Sequence, residues 1–211
     1  MAIVPLLDFS YPISLDDHEH ASDILRILRD SFGATVAVFG QNRASNEIMA
    51  WRLHARGFTS LLDSDLDDDW ERARAARPDF LFVSLGGDLA ESVNPPPDLL
   101  SCGVVLAPGH RPLDVFDRVQ TMALANSGHS ESTAVDLSRT TNAVSRVVQA
   151  AGRLHRSPED LRPVFLVNKA FGAPDFLRLW PRNWYRRRPQ ELLFDSLADA
   201  QAHMIRADDA N

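Results

Sequence analysis

The stretch Thr35-Val-Ala-Val-Phe-Gly40 is a short run of β-branched and aromatic residues that ends at a glycine. Such a run predicts a strand buried on both faces, and a helical pattern at 45–55 follows it. Similar apolar runs, each with glycine or proline close by, recur at 80–84, 103–107 and 164–167. Helical patterns separate the runs. The sequence therefore predicts an α/β fold, a parallel sheet with helices on both faces.

The remaining segments extend this alternation. Ser14 and Asp17 have the form of a capping box and predict a helix to about Ser31. The pattern also predicts a strand at 59–62, helices at 70–76, 113–123 and 141–156, and a mobile polar loop at 126–133. Residues 1–12 are expected to form an irregular or edge segment. We expect a core domain at 35–178, preceded by residues 1–34 and followed by a basic and aromatic tail at 179–211.

Composition limits the classes of function. The 211 residues are 45% hydrophobic and 24% charged, which is typical of a globular protein with one well-buried core. The single cysteine, Cys102, excludes a disulfide framework and a four-cysteine zinc or iron–sulfur site built from this chain alone. The apolar run at 3–7 is too short to span a membrane and has no basic flank before it. These features predict a cytoplasmic protein.

Charge is distributed unevenly. The net charge is −7, yet residues 139–188 carry eleven basic and three acidic residues, a balance of +8. The rest of the chain is therefore at −15, with a run of acid at 63–71. A solvated face explains the acidic run, whereas the basic region suggests contact with polyanions.

The basic region includes Gln149-Ala-Ala-Gly-Arg153-Leu-His-Arg156 on the predicted helix at 141–156. On a wheel of 100° per residue, Gln149, Arg153 and Arg156 share one face, and Gly152 lies beside them. Val144, Val147, Val148, Ala151 and Leu154 lie opposite. The pattern predicts two arginines held on a well-packed helix, a geometry that suits phosphate recognition. Spacing alone favours an ordinary amphipathic helix that has a solvated basic face.

The pattern Q-x-x-G-R-x-x-R-x-x-x-D, matched by Gln149, Gly152, Arg153, Arg156 and Asp160, resembles helicase motif VI of the DinG/XPD-like superfamily 2 family. This resemblance implies a RecA-like fold. It also implies that the two arginines are catalytic and reach ATP phosphates held by the first RecA-like domain. The other three residues would then line the nucleotide cleft. Arg162 stands where the family often has glycine.

Two further stretches resemble the same family, so that the resemblance covers about 35–171. Residues 36–41 are similar to motif IV, and residues 87–94 are similar to motif V. The motif V match implies that Glu91 and Asn94 contribute to nucleotide binding. Ser92 and Asn94 replace the usual glycine and aspartate, which changes backbone freedom and charge there.

The sequence lacks the phosphate-binding half of an ATPase. A P-loop needs Gly-Lys-Ser/Thr, and the only lysine, Lys169, lies between Asn168 and Ala170. No apolar strand ends in a DExH box. We therefore expect ATP and Mg²⁺ to be held mainly by a partner P-loop domain, with no ATP hydrolysis by this chain alone. His18, Glu19 and His20 could be considered metal ligands, but adjacent helical positions do not converge on one ion, and capping explains them better.

The stretch 180–188 interleaves aromatic side chains with arginines. Aromatic rings can stack on bases, and guanidinium groups can follow a phosphate backbone. The alternative is that the aromatic residues dock the tail onto the sheet while the arginines stay solvated. The first interpretation predicts a single-stranded DNA site at Arg182, Trp184, Arg186, Arg187 and Arg188.

Three hypotheses follow. The first is the second RecA-like half of a helicase, which closes on a nucleotide bound by another domain or subunit. The second is a catalytically inert scaffold or regulatory module derived from such a domain, favoured by Ser92 and Asn94. The third is an unrelated α/β domain that binds a small nucleotide at its strand ends.

Overall fold

The computed structural model describes residues 1–8, 13–66, 70–87, 95–96, 98–109, 114–154 and 162–209. Six strands lie within these residues: β1 (Ala2–Leu7), β2 (Thr35–Gly40), β3 (Ser60–Leu62), β4 (Phe80–Ser84), β5 (Leu100–Val105) and β6 (Val164–Asn168). They form one sheet in the order β1-β6-β5-β2-β4-β3, and every pairing is parallel. The predicted parallel sheet is confirmed.

The helices are α1 (Leu15–Phe32), α2 (Arg43–His54), α3 (Trp70–Ala76), α4 (Val115–Asn126), α5 (Glu131–Gly152), α6 (Pro174–Leu177) and α7 (Leu197–Asp209). α1, α2 and α7 pack on one face of the sheet, where Leu25, Met49 and Ala200 are buried. α3, α5 and α6 pack on the other face with Ala73, Val147 and Phe176. The sheet is therefore covered on both sides, as the apolar strands require.

The first residues of the chain form an ordered edge strand. β1 pairs with β6 through Ala2 and Phe165 and through Ile3 and Leu166. Ala2, Ile3 and Val4 are completely buried. Of the two predicted alternatives for this segment, the edge strand is correct for residues 2–7.

The predicted loop at 126–133 is shorter in the structure, where only residues 127–130 lie between α4 and α5. α4 continues to Asn126, and the Ser130 Oγ caps α5 by accepting the Thr133 N–H at 3.2 Å. α5 begins at Glu131 and ends at Gly152, so both predicted ends of the helix at 141–156 are wrong. The early start was missed because this part of α5 buries only two small residues, Ala134 and Ser138, and so has no apolar stripe.

The tail after α6 returns to the sheet. The Phe194 N–H donates to the Ile3 oxygen at 2.9 Å, and Leu193 bridges to Ile3 in parallel. Trp180 and Leu192 are buried in the same core as α5. The predicted division of the chain at residues 34 and 178 remains a prediction, but both flanking segments pack on the central sheet. No helix in the described parts of the chain is long and apolar enough to cross a membrane.

Candidate functional site

α5 has two chemically different faces, as the sequence predicts. Val144, Val147 and Ala151 are buried against the sheet, whereas Gln149 is exposed and Arg153 is half-buried. Val148 is only partly buried, so the buried apolar stripe of α5 is narrower than predicted at the edge where Val148 lies. The face with Gln149 and Arg153 therefore points away from the core.

Arg153 lies directly after α5 and keeps a helical backbone, with φ −70° and ψ −22°. Its N–H lies 3.2 Å from both the Gln149 and Ala150 oxygens. The exposed Gly152 and the half-buried Arg153 thus follow Gln149 at the same helix end. Because the backbone is hydrogen-bonded up to Arg153, the base of this side chain has a defined position.

Leu154 anchors the helix end to the sheet. Its side chain is completely buried, and a Cβ added to Gly103 of β5 would lie 2.1 Å from the Leu154 Cδ1. No side chain larger than hydrogen fits at position 103 without moving Leu154. The close approach of this strand and the helix end therefore favours glycine at position 103.

A second contact fixes α5 further along the sheet. The Arg146 Nη1 donates to the Gly109 oxygen at 2.7 Å, beyond the carboxyl end of β5. Gly109 has a φ of 72°, a conformation that favours glycine. Contacts at Gly103 and Gly109 hold α5 alongside β5 and fix the position of its last turn.

At the carboxyl ends of β2 and β4 there is a polar contact that the sequence did not predict. A Cβ on Gly40 would lie 1.8 Å from the Asn46 Oδ1, and the Asn46 Nδ2 lies 3.4 Å from the Ser84 Oγ. The Ser84 N–H donates to the Asp63 Oδ2 at 2.7 Å. These contacts position the turn after β2, at the end of the stretch that resembles motif IV. The four residues belong to separate elements and follow no regular spacing, so the sequence alone could not reveal the contacts.

Four predicted site residues, Glu91, Asn94, Arg156 and Asp160, lie outside the described residues. The structure therefore places Gln149, Gly152 and Arg153 together and leaves the rest of the predicted cleft as a prediction. Asn168, at the end of β6, is buried. Its Nδ2 donates to the Leu106 oxygen at 3.2 Å, and its Oδ1 accepts the Ala170 N–H at 2.9 Å. Asn168 thus joins β5 to the turn after β6.

The aromatic residues of the tail dock onto the core. Trp180 is 3% exposed and its Nε1 donates to the Phe171 oxygen at 3.3 Å. Trp184 stacks on Trp180 with ring centroids 5.4 Å apart and planes at 21°. The Arg182 guanidinium lies over the Tyr185 ring, 4.8 Å from its centroid. Trp184 is therefore engaged within the fold, as the alternative interpretation of the tail expects.

Arg186, Arg187 and Arg188 form one basic turn with exposed side chains. Their three backbone N–H groups converge on the Glu191 carboxylate, at 3.0, 3.1 and 3.3 Å. These hydrogen bonds lower the pKa of Glu191 below its ordinary value, and the one from the Arg187 backbone has the largest effect. The carboxylate holds the turn so that the three guanidinium groups reach into solvent.

Ligand sites of other kinds have little support in the described residues. No group of three His, Cys, Asp or Glu side chains there is arranged to hold a metal. His18 is buried instead in the first turn of α1, with its Nδ1 2.8 Å from the Ser14 oxygen. Burial raises the pKa of the Cys102 thiol to about 12, so it is not a thiolate at neutral pH.

A cavity of about 480 Å³ lies at the amino ends of β2, β4 and β5. Two arginines in its wall are neutralised: the Arg29 Nη2 is 2.9 Å from Asp79, and the Arg74 Nη2 is 2.8 Å from Asp98. Parallel sheets bind ligands at the carboxyl ends of their strands, at the opposite edge. This cavity therefore gives no support to the hypothesis of a small-nucleotide site at the strand ends.

Comparisons with known proteins agree on the fold. The family model for helicase C-terminal domains matches residues 28–187. No curated protein matches the sequence. Among solved structures, XPD_APO aligns with a TM-score of 0.64 and 20% identity over 84% of this chain and 37% of that chain. Xpd4 of S. tokodaii aligns with a TM-score of 0.59 and 12% identity over 81% of this chain and 34% of that chain.

A more distant likeness extends to S. cerevisiae Dbp5 bound to RNA and ADP BeF3. It has a TM-score of 0.54 and 11% identity over 99% of this chain and 45% of that chain. This chain thus spans less than half the length of each of these structures. The predicted RecA-like fold is confirmed.

Proposed function

Because this chain belongs to the family of helicase C-terminal domains, we propose that it is the second RecA-like half of an ATP-dependent DNA helicase. In this proposal Arg153 and Arg156 contact the phosphates of ATP bound by a separate P-loop domain. The observation that carries the proposal is the end of α5, where Gln149 and Arg153 lie on the outward face and Leu154 is anchored beneath them.

The chemistry of Arg153 suits this role. A guanidinium group stays charged and donates several hydrogen bonds from one plane, which matches phosphate oxygens. When charge develops on a phosphoryl group in transfer, a cation already in position lowers the barrier without further reorganisation. The Gly103 and Gly109 contacts supply that preorganisation by fixing the helix from which Arg153 projects.

The residues present fit one side of a nucleotide cleft only. Gln149 and Arg153 offer donors to phosphate oxygens, and the sequence has no Gly-Lys-Ser/Thr to surround them. ATP with Mg²⁺, when bound by the partner, supplies the phosphoryl group that is hydrolysed. In the proposal this chain contributes positive charge and, through Gln149, Gly152 and Asp160, the shape of the cleft. Glu91 and Asn94 belong to the same proposed cleft.

We also propose that the basic turn at 186–188 contacts single-stranded DNA. Its exposed guanidinium groups can follow a phosphate backbone, and Arg182 lies nearby. Trp184 contributes by holding the turn on the core, since its ring is stacked on Trp180.

A catalytically inert scaffold is the second candidate. Ser92 and Asn94 favour it, because they replace a glycine and an aspartate of the family pattern. ATP turnover distinguishes the active helicase half from the inert scaffold. The pure chain should show no magnesium-dependent hydrolysis, and adding the P-loop partner should produce turnover well above that of the partner alone. Equal turnover with and without this chain would favour the scaffold.

A further inference from the structure

α4 is attached to the molecule by its polar face. Asp117 is 3% exposed, and its Oδ1 accepts a hydrogen bond from the Asn142 Nδ2 of α5. The Gln120 Oε1 accepts from Asn142 at 3.1 Å and from the Ser138 Oγ at 3.0 Å. Such buried polar contacts specify one orientation of the helix, because rotating it would leave these groups without partners.

The outward face of α4 is apolar. Its large apolar side chains are between 59% and 76% exposed, which reverses the usual polarity of a surface helix. Arg118 is the one charged residue among the exposed positions of this helix. Contiguous apolar side chains on a surface mark contact with another macromolecule. We name Val115, Phe116, Val119 and Met122 the α4 apolar face.

This face continues the surface that carries Gln149 and Arg153. Ser138 and Asn142, which hold α4, fall with Gln149 and Arg153 within an arc of about 60° on the wheel of α5. Asn142 and Gln149 are seven residues apart, a rise of about 10 Å along the helix. α4 therefore lies on the same side of α5 as Gln149 and Arg153, about two turns from Gln149 and about three turns from Arg153.

We propose that the α4 apolar face is a docking surface for the P-loop RecA-like domain that completes the helicase. The inference rests on the proposed function, since a domain that reaches Arg153 also comes close to α4. The XPD structures are about three times as long as the matched region, which leaves room for that domain outside this chain. The four side chains of the face are uncharged and only Arg118 borders them, which favours an apolar protein surface over a nucleic acid.

The occupant can be identified by crosslinking. A photoreactive benzoylphenylalanine replaces Met122 in the full chain, expressed in the native host, and replaces the exposed Ile48 of α2 in a control. We expect Met122 to crosslink to a chain that contains Gly-Lys-Ser/Thr and a DExH box, and the control not to. A crosslink to a second copy of this chain, to a chain without a P-loop, or to nothing would overturn the proposal.

Affinity gives the quantitative test. Glutamine at Phe116, Val119 and Met122 preserves helix propensity and should weaken binding of the crosslinked P-loop chain at least tenfold. The matched control places glutamine at three exposed apolar residues on other helices, Ile27, Ile48 and Trp51, and should bind like the wild type. Wild-type affinity in the Phe116, Val119 and Met122 variant would overturn the proposal.

The two proposals can fail separately. If turnover in the complex depends on Arg153 while the α4 variant binds normally, the docking surface is wrong and the proposed function stands. If the α4 variant loses the P-loop chain while Arg153→Ala leaves turnover unchanged, the docking surface stands and the proposed function is wrong.

Discussion

The Leu154 side chain occupies the space that a Cβ on Gly103 would need, at 2.1 Å from the ideal Cβ position. Leu154 directly follows Arg153 in the chain. It therefore links the packing of a central strand to the position of the residue that we propose contacts phosphate.

Gly103→Ala should destabilise the fold by about 1–3 kcal/mol, because the added methyl group overpacks a buried site. Pairing it with Leu154→Val, which makes room, should cost less than the sum of the two single changes. Urea denaturation of the four proteins measures the coupling. Strict additivity of the two changes would show that the contact does not limit what fits at position 103.

The two faces of α5 should respond differently to truncation. Val147→Ala should lower the free energy of unfolding by about 1–3 kcal/mol, because Val147 is completely buried. Gln149→Ala should change it by less than about 0.5 kcal/mol, since its side chain is exposed. Val148→Ala should fall between them, because Val148 is partly buried. Equal losses at 147 and 149, measured by denaturant melts, would contradict the assigned faces.

The basic turn should provide a salt-sensitive contact to single-stranded DNA. Alanine at Arg186, Arg187 and Arg188 should weaken binding and flatten its dependence on salt, because fewer counterions are released. The matched control removes three exposed arginines elsewhere, Arg26, Arg43 and Arg206, for the same change in net charge. Fluorescence anisotropy at several salt concentrations measures how tightly each variant binds single-stranded DNA. Similar losses in both variants would mean that overall charge, and no local site, governs binding.

Much of the fold could be predicted because its strands are short, apolar and β-branched. β2, β4 and β6 lie where the sequence places them, and Ser14 caps α1 as expected, with its Oγ accepting the Asp17 N–H at 3.0 Å. These features depend on neighbours in the sequence, which a single sequence displays directly.

Features that depend on distant partners were missed. The start of α5 and the length of α4 are stabilised by polar contacts between the two helices, such as Ser138 with Gln120, so no apolar period marks them. The Gly40 and Asn46 contact and the Gly103 and Leu154 contact join separate elements. The opposite faces of α5 could be predicted, because one helix contains all of the residues concerned.

The role proposed for the two arginines is tested by ATP turnover of the complex with the P-loop partner, with Arg153→Ala and Arg156→Ala measured beside Arg178→Ala. Arg178 is the matched control, since its side chain is 78% exposed and far along the chain from the helix end. We expect each of the first two changes to lower turnover by roughly 10³-fold or more, and to change the free energy of unfolding from thermal melts by no more than about 1 kcal/mol. Turnover that survives both replacements at the level of Arg178→Ala would contradict the proposed role.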